Sequence, residues 1–343
     1  MLTNSVETES RPRRPARVRG KLHIGGSNSR GRLAETVIEV RGLTKHYPDV
    51  KAVDGIDFEV KGGEIFSLLG PNGAGKTTTV EILEGLRDPT SGDARVLGVD
   101  VTHGYAKIRE RVGVLPQDFQ PFDRLRPREA VRYWATLMNR SLSKAEAGSI
   151  LETVGLTSRA DTYAMNLSGG EKRRLGIAMA LVGEPDLVFL DEPTTGLDPS
   201  ARRDLWGLVR ELKGKGKTVV LTTHYLDEAE QLADHVAIMN RGKIVVRGAP
   251  DNLISRHGGG TTIVLAGAGA SGHEALIARG IPAAVDGGNV LVHVATASDV
   301  RLMLAKVVAI DVPTTGIYTR RDTLEDVFLR VVGARMAEGE LVG

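Results

Sequence analysis

Apolar positions follow two alternating rhythms along most of this chain. Continuous apolar runs at Ile65–Leu69 and Leu187–Leu190, and the run Thr218–Thr222, read as strands buried on both faces, the mark of a parallel sheet. Thr36–Val40 and Ile56–Val60 mix β-formers with polar residues and predict a hairpin-like unit laid beside the Ile65–Leu69 strand, with Tyr47-Pro48 in a turn. Asp93–Leu97 and Val112–Leu115 predict two more strands. Val236–Met239 and Lys243–Val246 predict a hairpin about Asn240-Arg241-Gly242. Between these runs the period lengthens, and helices are predicted over Thr78–Leu86, Lys172–Val182, Ser200–Leu212 and Leu226–Ala233. From Arg126 to Leu156 apolar residues recur at three and four (Val131, Trp134, Ala135, Met138; then Ile150, Leu151, Val154), with Pro127 suited to a first turn. This predicts a helical insertion, about residues 118–166, in an α/β body spanning 36–249.

Past Pro250 the sequence turns Gly/Ala-rich. Short strands are predicted at Thr262–Leu265, Val290–Val294 and near Gly316–Thr319, with helical patterns at Glu274–Ala278 and Val300–Val307 and a last helix over Leu324–Val332. Residues 250–343 are thus expected to form a small α+β domain of β-α-β-β-α-β order, ferredoxin-like or similar. It carries no catalytic constellation and reads as a dimerisation or regulatory appendage.

Chemistry enters with Gly70-Pro71-Asn72-Gly73-Ala74-Gly75-Lys76-Thr77, a G-x-x-x-x-G-K-T stretch between a strand and a helix. Its glycines let backbone N–H groups converge on one point, and the next helix directs its positive end there. A polyphosphate fits that concavity, with Lys76 reaching the β- and γ-phosphates and the Thr77 hydroxyl ligating Mg²⁺. Leu167-Ser168-Gly169-Gly170-Glu171 is another Ser/Gly turn running straight into a helix; read alone it is a helix cap, and with the first it makes a second anion site. Asp191-Glu192 at the end of the Leu187–Leu190 strand lies where α/β proteins bind ligands; without that strand it would read as a solvated acidic turn. Tyr47, a lone loop tyrosine shortly before the glycine loop, reads either as ordinary surface or as an aromatic that stacks on a nucleotide base.

Composition narrows the classes. Cysteine is absent, so disulfides and thiolate metal sites are excluded. No apolar run approaches the ~18–20 residues of a membrane span. The net charge is +2, but residues 1–35 hold eight Lys/Arg against three Glu, leaving 37 basic against 40 acidic residues in the rest. The tail, poor in bulky apolar side chains, is expected to be disordered, a solvated leader or an arm touching anionic lipid. The body gives no electrostatic reason to expect nucleic acid as a partner.

With these motifs in order, the chain resembles the ATP-binding subunit of an ABC transporter. Gly70–Thr77 matches the Walker A motif, Leu187–Glu192 Walker B, and Leu167–Glu171 the family signature, usually LSGGQ. Gln117 falls at the Q-loop, Gly196-Leu197-Asp198 at the D-loop, His224 at the switch histidine and Tyr47 at the adenine-stacking aromatic. The departure is Glu171, where glutamine is commoner. The C-terminal Thr323-Leu324-Glu325-Asp326-Val327-Phe328 is similar to that of daunorubicin-resistance-type efflux ATPases, and could equally sit on exporters of polysaccharide, lipid or peptide.

The resemblance implies an α/β P-loop NTPase with a helical insertion and an antiparallel β subdomain, plus the small C-terminal α+β domain. It implies ATP and Mg²⁺, with Thr77, Asp191 and Gln117 at the metal, and Glu192 as general base oriented by His224. It adds Thr78 and Asp198 to the nucleotide-contacting residues, and Ser168, Gly169 and Gly170 as contacts made across an ATP-dependent head-to-tail dimer. It further implies a separate multi-span permease and a peripheral place on the cytoplasmic face of the membrane. Soluble ABC ATPases acting on DNA or ribosomes carry a long coiled-coil insert or two cassettes, and neither is visible here; a GTP switch would need an N-K-x-D motif.

Overall fold

The computed structural model describes residues 35–258, 260–295, 297–332, 336–337 and 340–341, so the disorder expected of the basic tail lies outside the described residues save Glu35. Polar and apolar residues alternate along β1 (Thr36–His46) and β2 (Lys51–Lys61), interrupted by a bulge between Val40 and Leu43. Each strand therefore buries one face only. β3 (Ile65–Leu69) is buried throughout and runs through the glycine loop into α1 (Lys76–Leu83). That helix stops before Leu86, because Gly85 turns left-handed at φ 65°. β4 (Ser91–Val96), β5 (Val99–Asp100), the short α2 (Val101–Gly104) and β6 (Val112–Leu115) follow.

The hairpin of β1 and β2 does not join β3 edge to edge. It forms a separate antiparallel sheet of order β2-β1-β4-β5 and meets β3 face to face, with Phe58 stacked on Phe66 at 5.2 Å. The patterns carry the reason: one-faced alternation suits a sheet covered on one side, whereas the continuous run of β3 needs cover on both.

The helical insertion is not one stretch. α3 (Pro127–Leu137) and α4 (Lys144–Thr153) are separated at Asn139, which is left-handed at φ 56°, and Ser143 opens α4 through a capping box with Glu146. Then come α5 (Gly169–Ala180), β7 (Leu187–Asp191), α6 (Pro199–Gly214), β8 (Thr218–Thr223), α7 (Leu226–Leu232), β9 (His235–Asn240), β10 (Lys243–Gly248) and α8 (Pro250–Leu253). The central sheet has the order β10-β9-β3-β8-β7-β6, parallel except for β10. One face, with Ile65, Leu221 and Leu190, packs on α3 to α6; the other, with Phe66, Leu68 and Phe189, packs on α1 and the antiparallel sheet.

The next elements are β11 (Thr261–Ala266), α9 (Gly269–Ile277), β12 (Ala284–Asp286), β13 (Asn289–Val294), α10 (Ala297–Val308), β14 (Gly316–Arg321) and α11 (Leu324–Val332). Their antiparallel sheet, β12-β13-β11-β14, has the split β-α-β order the sequence predicts and its own core around Ile263, Val292 and Leu276. β12 was invisible to the pattern because all three of its residues are exposed. α11 leaves this module: Leu324, Val327 and Phe328 pack with Leu226 and Ala229 of α7 and Leu69 of β3, and Glu230 accepts from the Leu324 N–H at 2.9 Å. Among the described residues no helix is long and apolar enough to cross a membrane.

Candidate functional site

Neighbouring parallel strands end on the same edge of a sheet, so the residues just past β3, β8, β7 and β6 must converge. The register fixes how: Leu69 pairs with Thr223, Thr222 with Asp191, and Leu190 with Leu115. This sets the glycine loop, His224, Asp191-Glu192 and Gln117 side by side, although about 150 residues separate the first from the last in sequence.

The loop is shaped by what surrounds it. A Cβ on Gly75 would lie 2.1 Å from the Ala52 carbonyl oxygen, and the residue takes φ 103°. One on Gly70 would lie 2.3 Å from the Met239 oxygen. Only glycine fits at either place. The buried Lys76 opens α1, and its Nζ donates to the carbonyls of Gly70 (2.7 Å) and Pro71 (3.2 Å) and lies 3.4 Å from Glu192 Oε1. Burial pushes the Lys76 ammonium down, against the opposing pull of Glu192 and Asp191.

Glu192 is the centre of the cluster. It takes a left-handed φ of 45°, which costs a non-glycine residue roughly 1–2 kcal/mol. Its N–H donates to Thr222 Oγ1 at 2.9 Å. Its Oε2 lies 3.2 Å from His224 Nδ1, 3.1 Å from Thr195 Oγ1 and 3.5 Å from Gln117 Nε2. Burial raises its pKa, yet the hydrogen bond from His224 and the charges of Lys76 and His224 prevail and hold it at about 2. Asp191 behaves otherwise: burial raises it, and the Glu192 charge adds to this against hydrogen bonds from Thr222 and Thr77.

Thr77 Oγ1 lies 3.4 Å from Asp191 Oδ1. Among the described residues no group of three or more His, Cys, Asp or Glu could hold an ion by itself. A hydroxyl and one carboxylate do suit Mg²⁺, a hard cation that keeps waters and takes phosphate oxygens for its remaining positions.

The structure brings together Lys76, Thr77, Gln117, Asp191, Glu192 and His224, with Thr78 half-buried in the first turn of α1. The other predicted residues make their contacts elsewhere. Ser168 is exposed and caps α5 in a box with Glu171, next to Gly169 and Gly170. Asp198 caps α6 by accepting from Ser200 and Ala201 N–H groups at 2.9 and 3.0 Å. Tyr47 is exposed between Lys45 and Arg87, 5.6 and 5.7 Å from its ring. Sequence reasoning missed Thr222, whose hydroxyl donates to Asp191, and Thr195. A polar residue closing the apolar stretch Val219–Leu221, one step before Thr223-His224, was the available signal for Thr222.

The family model described as ABC transporter matches residues 53–195. The daunorubicin resistance ATP-binding protein DrrA3 of Streptomyces coeruleorubidus is 36% identical over 307 residues, covering 88% of this chain and 97% of that protein. The Nod factor export ATP-binding protein I of Burkholderia orbicola is 38% identical over 308 residues, covering 88% and 98%. Among solved structures, the dimeric post-hydrolysis state of the ATP-binding cassette MJ0796 with ADP and Pi superposes with a TM-score of 0.57 at 26% identity, over 62% of this chain and 98% of that one. With its cassette sheet, its glycine loop and full-length relatives agreeing, this chain belongs to the ATP-binding subunits of the ABC transporter family.

Proposed function

We propose that this ATPase drives export of an antibiotic or other hydrophobic compound through a separate multi-span permease, acting as an ATP-dependent head-to-tail dimer on the cytoplasmic face of the membrane. The observation that carries the catalytic part is the Glu192 carboxylate, held ionised between Lys76 and His224 beside the Thr77–Asp191 pair. Phosphoryl transfer to water needs charge stabilisation and an oriented nucleophile. Lys76 and the loop hold the β- and γ-phosphates. Thr77, Asp191 and Gln117 are the side chains that would hold Mg²⁺, which would supply neutralisation of charge on those oxygens. Glu192 takes the proton of the attacking water, and His224 with Thr195 keeps its carboxylate aimed. Once Lys76 turns from Glu192 to a phosphate, one of the charges holding Glu192 near 2 is gone and its basicity rises.

A cleft of about 260 Å³ beside β6, lined by Tyr105, Trp134, Leu137 and Met138, supports the permease reading. Leu137 is 55% exposed there, an apolar edge that a partner segment would cover. Relatives named for daunorubicin resistance and for Nod factor export are about equally similar, so a cargo of another kind is the second reading. The test is Glu192→Gln. It is expected to bind Mg-ATP as tightly as wild type, to lose hydrolysis by a factor of about 100 or more, and to accumulate as an ATP-bound dimer in gel filtration. Wild-type turnover by this variant would remove Glu192 as the base.

A further inference from the structure

Glu228 in α7 is 0% exposed, and no motif of the sequence pointed to it. Its Oε1 accepts from Trp206 Nε1 of α6 at 3.0 Å. Its Oε2 has no hydrogen bond of normal geometry, and the Thr194 hydroxyl is likewise buried without one. The carboxyl sits beside the hydroxyls of Thr194 and Thr223. A buried carboxyl with an unmatched oxygen is costly, so the polar groups around it are held in place by what they gain from it. Burial pushes Glu228 up, against the hydrogen bonds of Thr223, Thr194 and Trp206 and the charge of Arg202.

The two threonines give this carboxyl its meaning. Thr194 precedes Thr195, which donates to Glu192 at 3.1 Å. Thr223 precedes His224, which lies 3.2 Å from the same carboxylate. Glu228 therefore touches the chain neighbour of each of two residues that hold Glu192. We propose that Glu228 is a positioning residue for hydrolysis, a buried carboxyl that ties α7, α6 and the Glu192–Asp198 segment together and so sets where His224 and Thr195 hold Glu192. Glutamine keeps an acceptor for the Trp206 indole and a polar group beside the threonine hydroxyls, and methionine of similar length keeps neither.

Steady-state ATPase kinetics and thermal unfolding of Glu228→Gln, Glu228→Met and Thr194→Val test this. Glu228→Gln retains kcat within about threefold of wild type, while Glu228→Met loses about tenfold or more, the equivalent of one or two positioning hydrogen bonds. KM for ATP stays unchanged in both, because the glycine loop and Lys76 are untouched. Thr194→Val, which removes a single hydroxyl, lowers kcat about three- to tenfold with KM again unchanged, and stands as the test should Glu228→Met fail to fold. Wild-type kcat in Glu228→Met or in Thr194→Val overturns the proposal, as does a folded Glu228→Gln as impaired as the methionine variant. The inference rests on Glu192 as the base; Glu192→Gln run alongside separates failure of that reading from failure of this one.

Discussion

Glu84 and Glu192 are buried alike, 5% and 4% exposed, yet the first is pushed to about 8 and the second held at about 2. Burial raises both. Glu192 has Lys76 and His224 to overcome it, whereas Glu84, at the end of α1, meets only the further negative charges of Asp191 and Glu81. Between about 4.5 and 8 folded Glu84 keeps a proton that the unfolded chain has released. Its contribution to stability is thus fully favourable below about 4.5 and declines by about 1.4 kcal/mol per pH unit as pH rises to 8. Glu84→Gln is expected to leave urea unfolding unchanged near pH 5 and to raise the midpoint clearly at pH 8; parallel pH profiles for the two proteins would contradict this. Neither behaviour is legible in the sequence. Lys76, Thr77, Asp191, Glu192 and His224 are, because each follows or closes a strand with an apolar run, Lys76 and Thr77 across the glycine loop, but a pKa depends on neighbours that only the sheet order brings near.

The helix starting at Ser168 shows how an element absorbs an unusual residue. Glu171, where the resemblance leads one to expect glutamine, accepts from the Ser168 N–H at 2.9 Å and from Arg159 Nε at 2.8 Å. Its slight burial would raise its pKa, and these two bonds more than offset it, so the side chain stays anionic. A negative charge suits the helix N-terminus but repels a phosphate approaching it, and Arg159 balances that charge. Arg159→Gln is expected to weaken ATP-driven dimer formation a few-fold, and Glu171→Gln added to it to restore wild-type affinity, a coupling of about 1 kcal/mol or less for a half-exposed pair. Equal weakening with and without Glu171→Gln, measured by ATP-dependent sedimentation, would leave the pair as a tether between helices only. The elements themselves were mostly legible, since caps and periods are local. Pairing was legible only through the resemblance, whose antiparallel subdomain takes the β1–β2 hairpin away from the β3 sheet, and three exposed residues gave no sign of β12.

At the scale of the molecule, two candidate anion sites remain that one chain does not join. The Lys76 loop is tied to Glu192 and the strand ends, while Ser168 makes its contacts with its own helix and, through Glu171, with Arg159. A γ-phosphate cradled by Gly70–Thr77 would keep an open face, and in a twofold pair the exposed Ser168 turn of each chain is available to cover the other's nucleotide. Lys76→Ala and Ser168→Arg chains, each inactive alone, discriminate the cases when mixed. In their heterodimer one site gathers both defects, and the other is built wholly from unaltered motifs. ATP occlusion and ATP-dependent dimers are therefore expected in the mixture and absent from either variant by itself, with some hydrolysis returning if the two sites are not strictly coupled. If Ser168 served only its own chain's nucleotide, every site would stay defective however the chains were mixed. Heterodimers demonstrated by differential tagging, yet showing no gain in ATP occlusion, would leave Ser168 as the cap of α5 and nothing more.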